Sequence, residues 1–255
     1  MTLATIARPP GLLLCQIAER LLLSMSAGAV NAGAYLACQR FVSHVTGTVT
    51  LIGVDFGSWS LAAEYLLVLL CFLMGAMTAV FLIAVAPPKQ YPARSLQLVA
   101  FLIALVAPLG LLGLFGKFGQ SVEGSGDFIL LSLLSFAMGL LNATAAASTT
   151  INARLTHLTG HATELGINLA RAYLECGAER EGALRLGALL AGKIFAFAVG
   201  AAGMVLLVRW GGYAAFLAAA GLTLVATELG QLAHASPTGE RRSLDWSVLP
   251  SFSRQ

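Results

Sequence analysis

The sequence predicts an all-α integral membrane protein of about six transmembrane helices, arranged as two inverted three-helix repeats. Three observations lead there. Of 255 residues, 58% are hydrophobic and 11% charged, where soluble domains carry roughly 25% charged residues; the mean hydropathy is +0.82. The apolar residues gather into six stretches of membrane-crossing length. A ten-residue pattern also occurs twice, once after the first stretch and once after the fourth. Lipid satisfies no open backbone group, so helices are the expected spanning element, and no stretch alternates as a barrel strand would.

The chain, 1–255, reads as a single polytopic domain. The spans fall at 21–39, 61–85, 96–116, 128–150, 186–208 and 211–233. Residues 11–18 either extend the first span or lie along the interface. Glu19 and Arg20 interrupt this N-terminal run and no small-residue cleavage site follows, so a removed signal peptide is not expected. Pro87, Pro88 and Pro92 mark one loop. Residues 116–127, rich in Gly, Ser and charge, mark another. Arg209, Trp210, Gly211 and Gly212 form a tight turn, with Trp210 as an interface anchor. Residues 169–185 read as an amphipathic surface connector. Glu64 and Glu228, near span ends, read as interfacial.

Orientation follows from the cations. With a cytoplasmic N-terminus, that side collects Arg8, Arg20, Lys89, Arg94, Arg154, Arg171, Arg180, Arg185, Arg241, Arg242 and Arg254. The other side collects Arg40, Lys117 and Arg209. The bias predicts both termini inside, with 234–255 a cytoplasmic tail; for this composition the simplest expected location is a bacterial inner membrane.

The duplicated pattern is H-x-T-G-x-x-T-x-x-G, at residues 44–53 and again at 157–166, 113 residues later. Upstream, G-x-x-N-A occurs at 28–32 and 139–143, at an offset of 111. Gly75 then matches Gly192 further downstream. Repeat 1 covers about 21–116 and repeat 2 about 128–233. Three crossings per repeat is odd, so the second repeat starts from the opposite side and lies upside down, as in many secondary transporters.

Each pattern is too short and polar to span alone and fits a broken or re-entrant helix. Thr46 and Thr159 suit the N-cap. Gly47 and Gly160 permit close backbone approach, and the helix start offers N–H donors to an anion. His44 and His157 add a donor or a proton acceptor. Asn31 and Asn142, at mid-span, need interior partners. Lys193 is an intramembrane cation. These nine residues form the expected solute-binding set, converging between the halves. The competing reading is packing: Thr, Gly and Asn in membrane helices also serve helix contacts, and Lys193 can snorkel or pair with Glu164.

Cys15, Cys38, Cys71 and Cys176 are isolated and read as small hydrophobes, so neither a metal nor a cofactor is expected. No HExxH, GxSxG or Walker pattern occurs, which argues against an enzyme.

The segments G-x-V-N-A with F-V-S-H-V-T-G-x-x-T, and F-A-M-G-L-x-N-A with L-T-H-L-T-G, resemble the YoaK-like family of bacterial multi-pass inner-membrane proteins of unknown function. The resemblance runs from about Met25 to Leu232. It implies an integral protein of about six spans and supplies no substrate. Asn31 stands where that family commonly has Asp, and Thr48 where Asn is common. The expected function is a secondary transporter or permease of a small anionic or zwitterionic solute. The alternative is a non-transporting assembly factor or complex subunit. The expected partners are the lipid bilayer, the solute and a second copy in a homodimer, with no nucleic acid.

Overall fold

A computed structural model describes residues 10–86, 91–116, 118, 125–148 and 158–235. Eight α-helices account for most of them: α1 Pro10–Cys38, α2 Val45–Val54, α3 Trp59–Val85, α4 Ala93–Leu111, α5 Ser125–Ser148, α6 Leu158–Leu174, α7 Gly177–Gly211 and α8 Phe216–Ala235. A 3-10 turn, Gly212–Ala215, joins the last two.

Five helical stretches are long and apolar enough to cross a membrane. The last of these, Gly177–Ala235, has 59 residues, about three times the ~20 needed for one crossing. It is two helices. Gly212 adopts φ +50°, a conformation that glycine takes without strain, and the chain reverses there. The six long helices thus coincide with the six apolar stretches in the sequence.

One open alternative is decided, and three details differ from expectation. α1 includes residues 11–18, so they extend the first helix. α4 stops at Leu111 and not near 116: Pro108 removes a helix donor, and Gly113 turns left-handed at φ +72°. Residues 169–185 are not one connector helix. They divide between the end of α6 and the start of α7, at a turn whose Gly177 has φ +61°. Glu64 is not interfacial but 3% exposed. Glu228 lies exposed on α8.

Contacts set the helix directions. Leu21 meets Gly192 and Gly33 meets Met204, so α1 and α7 run parallel. Gly33 also meets Phe216 while Ser26 bonds Ala219 and Thr223, so α8 runs antiparallel to α1. Tyr91 against Gly230 and Gly110 against Tyr213 make α4 antiparallel to α8. Ser95 bonds Thr144, and Gly116 faces Asp127, so α5 opposes α4. α3 and α5 run parallel, with Glu64 near Asp127 and Gly75 against Phe136. Successive long helices therefore alternate. α1 begins and α8 ends at one face of the bundle, called here the terminal face; the other is the distal face.

Two helix pairs approach unusually closely. A Cβ on Gly28 would overlap the Phe197 carbonyl, and one on Gly200 the Met25 carbonyl. Between α3 and α5, Gly139 meets the Phe72 carbonyl and Gly75 the Phe136 carbonyl in the same way. Without side chains at these points the backbones touch, as in close membrane helix packing. The expected match of Gly75 with Gly192 is corrected by these contacts: Gly75 and Gly200 hold equivalent places.

The core lies on α1, α4, α5 and α8, with Val30, Ile103, Leu130, Leu134, Met138 and Phe216 fully buried. Outward faces are equally apolar. Leu66, Leu70, Leu73, Met77 and Phe81 of α3 and Phe195, Val199 and Leu206 of α7 are exposed. In water so continuous an apolar surface would drive association; against lipid it is the expected boundary.

Candidate functional site

The two H-x-T-G segments form α2 and α6. Each follows a long helix and packs on the next one, α2 on α3 and α6 on α7. α3 starts at the distal face and α7 at the terminal face. The two copies therefore stand at opposite faces of the bundle and do not meet.

The expected threonine caps do not form. α2 begins at Val45, with His44 at the cap position and no side-chain bond to the first turn. Thr46 is already helical and exposed. The Thr48 N–H bonds the His44 carbonyl at 2.9 Å, so the backbone closes the turn itself. Gly47 serves His44: a Cβ would lie 2.5 Å from its Nδ1. The imidazole also meets Phe41 edge-on at 5.8 Å, and Phe41 stacks on Tyr35 at 4.8 Å. In the second copy α6 begins at Leu158, Thr159 is exposed, and Gly160 is half-buried. His157 lies outside the described residues.

Asn31 holds the chain that enters α2. Its Nδ2 donates to the Ala27 carbonyl at 3.0 Å and to Ser43 Oγ at 2.6 Å, and the Ser43 N–H donates back to Oδ1 at 3.2 Å. Asn142 makes the matching bond within its own helix, to the Met138 carbonyl at 2.9 Å. Both are 5% exposed. The bonding pattern gives Asn31 a structural task.

Lys193 is 1% exposed and among the largest fully buried side chains. It does not snorkel, and no ion pair with Glu164 lies within 4 Å. Its charged surroundings are Arg20 of α1 and Glu164 of α6. The α6–α7 hairpin sets Gly187 against Leu165 and Asn168. Lys193 lies further along α7, within reach of the Glu164 charge of α6; His161 of α6 is 3% exposed. An ammonium and a guanidinium thus share one region where α1 packs on α7, with the Glu164 carboxylate of α6 beside them.

Sequence reading missed two further polar clusters. At the terminal face, Tyr91 Oη donates to Glu19 Oε1 at 2.6 Å, and His234 packs on the Tyr91 ring at 4.9 Å. Glu19 is 6% exposed. Burial, then the Glu19 charge and its hydrogen bond, push the Tyr91 hydroxyl well above its ordinary value, so it stays a donor. At the distal face Arg40 Nε bonds Glu64 Oε1 at 2.5 Å and covers the Tyr65 ring at 5.4 Å, while Tyr65 Oη donates to Asp55 at 2.7 Å. The available signal was Glu19 inside an apolar run. It read only as an interruption of the N-terminal apolar run, because its partners lie 72 or more residues away.

An apolar groove on the outer surface, lined by Cys71, Phe128, Ile129, Ser132, Leu133 and Phe136, lies between α3 and α5, away from all these groups. Among the described residues no cluster of His, Cys, Asp and Glu is placed to hold a metal ion.

No curated protein and no solved structure matches the chain. The family model for a protein of unknown function, DUF1275, matches residues 20–229, which takes in α2 through α7 whole and most of α1 and α8. The chain belongs to the DUF1275 family.

Proposed function

We propose that this protein is a secondary transporter of a small solute with an anionic group, built from two inverted halves, α1–α4 and α5–α8. One observation carries the solute reading: Lys193, buried beside Arg20 where α1 of one half crosses α7 of the other. Glu164 is the acidic group set against Lys193; buried positive charge in hydrocarbon is expensive, and a bound anion offsets that cost. The N-terminal part of α6 lies in the same region, and the dipole of a helix favours an anion near that end.

The inverted arrangement is supported by matched contacts. Gly28, Met25 and Asn31 have counterparts 111 residues later in Gly139, Phe136 and Asn142, and Gly75 and Phe72 have counterparts 125 residues later in Gly200 and Phe197. Each first helix packs on the long helix of the other half. The paired helices α1 and α5, α3 and α7, and α4 and α8 each run in opposite directions. Rocking one half against the other would expose a site at their crossing to each side in turn. The cation bias puts the terminal face in the cytoplasm.

The test compares small-molecule contents of cells lacking the protein, cells overproducing it, and cells overproducing Lys193→Met. The expected result is one or a few anionic metabolites that shift with the wild-type protein and return to baseline with the variant at equal membrane abundance. No shifted metabolite, or an unchanged shift with Lys193→Met, would overturn the reading.

A further inference from the structure

Glu19 lies on α1, in the terminal-face half of the bundle, and is 6% exposed. A carboxylate in that setting is costly unless it is bonded or protonated. Its hydrogen-bond partner is Tyr91, which precedes α4 and crosses α8 to reach it. The crossing is possible only because residue 230 is glycine: any Cβ there would overlap the Tyr91 hydroxyl and ring. One turn later His234 covers the same ring, and its Nδ1 lies 2.8 Å from the Gly230 carbonyl. That carbonyl can only accept, so Nδ1 carries the hydrogen. His234 is exposed at the end of α8. A buried carboxylate, a hydroxyl donor and a water-facing imidazole therefore stand in a row from the interior to the terminal face, each from a different helix or its lead-in.

Among the described residues, the charged and titratable groups around Glu19 are few. They are Tyr91 ahead of α4, His234 from α8 and Arg20 on α1 itself. Beyond Arg20 stand Lys193 of α7 and Glu164 of α6. His234 and Arg20, when charged, favour the ionised carboxylate; burial favours the acid.

We propose that Glu19 is a reversible proton-binding site, and that Tyr91 is the latch that holds its ionised form. The carboxylate takes one proton from water at the terminal face and becomes a neutral acid. The charge-assisted bond from Tyr91 is then replaced by a neutral one of roughly half the strength. Tyr91 connects α1, α4 and α8, so weakening it loosens the terminal face. On the transporter reading, upon which this role rests, the proton taken up here is the coupling ion, next to the Arg20–Lys193 region.

The experiment is an infrared titration of the purified full-length protein, following the carboxylic-acid carbonyl stretch, with wild type, Glu19→Gln, Tyr91→Phe and Gly230→Ala. The expected result is a buried-acid band that grows as pH falls and is missing from Glu19→Gln. Tyr91→Phe removes a donor to the ionised form, so its band should appear at a midpoint about one pH unit higher. Gly230→Ala should behave as Tyr91→Phe does, because it displaces the ring. A band unaffected by Glu19→Gln overturns the site, and an unmoved midpoint in Tyr91→Phe overturns the latch. Titration is read without any solute. An intact Glu19 band with no solute response in cells therefore sinks the transporter reading alone, and a missing band beside an intact response sinks this one alone.

Discussion

α2 and α6 carry the same H-x-T-G pattern and have become different objects. Matched positions are buried alike: Thr48 is 7% exposed and its counterpart His161 3%. The chemistry diverges. α2 has ten residues, no charged side chain, and a connector held by Asn31. α6 has seventeen residues, and Leu51 of the first copy is replaced by Glu164, which faces the charge of Lys193. The same motif therefore supports two different local chemistries, one uncharged and one carrying an acid beside a buried lysine.

The strongest challenge to this comparison is topological. Cys176, at the α6–α7 turn, and a cysteine introduced at Phe56, just after α2, lie at opposite faces of the bundle. Phe56 is 89% exposed, and Cys176 is exposed as well. In a background lacking the other cysteines, a membrane-impermeant thiol reagent on intact cells should label the Phe56→Cys site and spare Cys176, and reverse that order on inverted vesicles. Labelling of both from one side would end the inverted-halves proposal.

Next come the close-packed glycines. Ala at Gly200 or Gly139 should each destabilise by about 3 kcal/mol or more, since the clash is with backbone and no side chain can move aside. Gly53→Ala and Gly203→Ala, with open space around them, should be neutral or stabilising by up to about 1 kcal/mol. Thermal unfolding in detergent measures both. Equal effects at all four positions would remove the case for matched contacts.

The distal ion pair should follow. Arg40→Ala leaves Glu64 buried without its cation, at a cost of about 2–3 kcal/mol, moderated because Arg40 is itself 25% exposed. Arg185→Ala at the exposed pair with Glu181 should change nothing measurable. Asn31→Ala strips Ser43 of two bonds and should cost about 1–2 kcal/mol. Asn31→Asp should cost less, because a carboxylate still accepts from both Ser43 groups. Smallest of all are Thr46→Val and Thr159→Val, at exposed helical positions, within about 0.5 kcal/mol. A large loss at either would restore the capping role.

The helices and their number were legible because each needs only a local run of apolar residues. Duplication was legible too, since it is a property of the string. Three errors have physical causes. Thr46 looked like a cap by residue type, yet the hydrogen bond from the Thr48 N–H to the His44 carbonyl starts the helix two residues earlier. Gly75 was matched to Gly192 by sequence spacing, but the close approach to a facing carbonyl selects Gly200. The two motif copies were expected to converge, although an odd number of crossings between them places them at opposite faces.

Hydropathy and the long apolar helices follow from this sequence alone, because lipid imposes one rule on every residue of a span. Which polar groups meet does not follow. Glu19 with Tyr91, Arg40 with Glu64, and Lys193 with Arg20 are separated by 72, 24 and 173 residues. No local pattern encodes such pairs. Only the packing of α1 against α4, α7 and α8 decides that the glutamate interrupting the N-terminal apolar run is bonded, and that Lys193 is buried where α7 packs on α1.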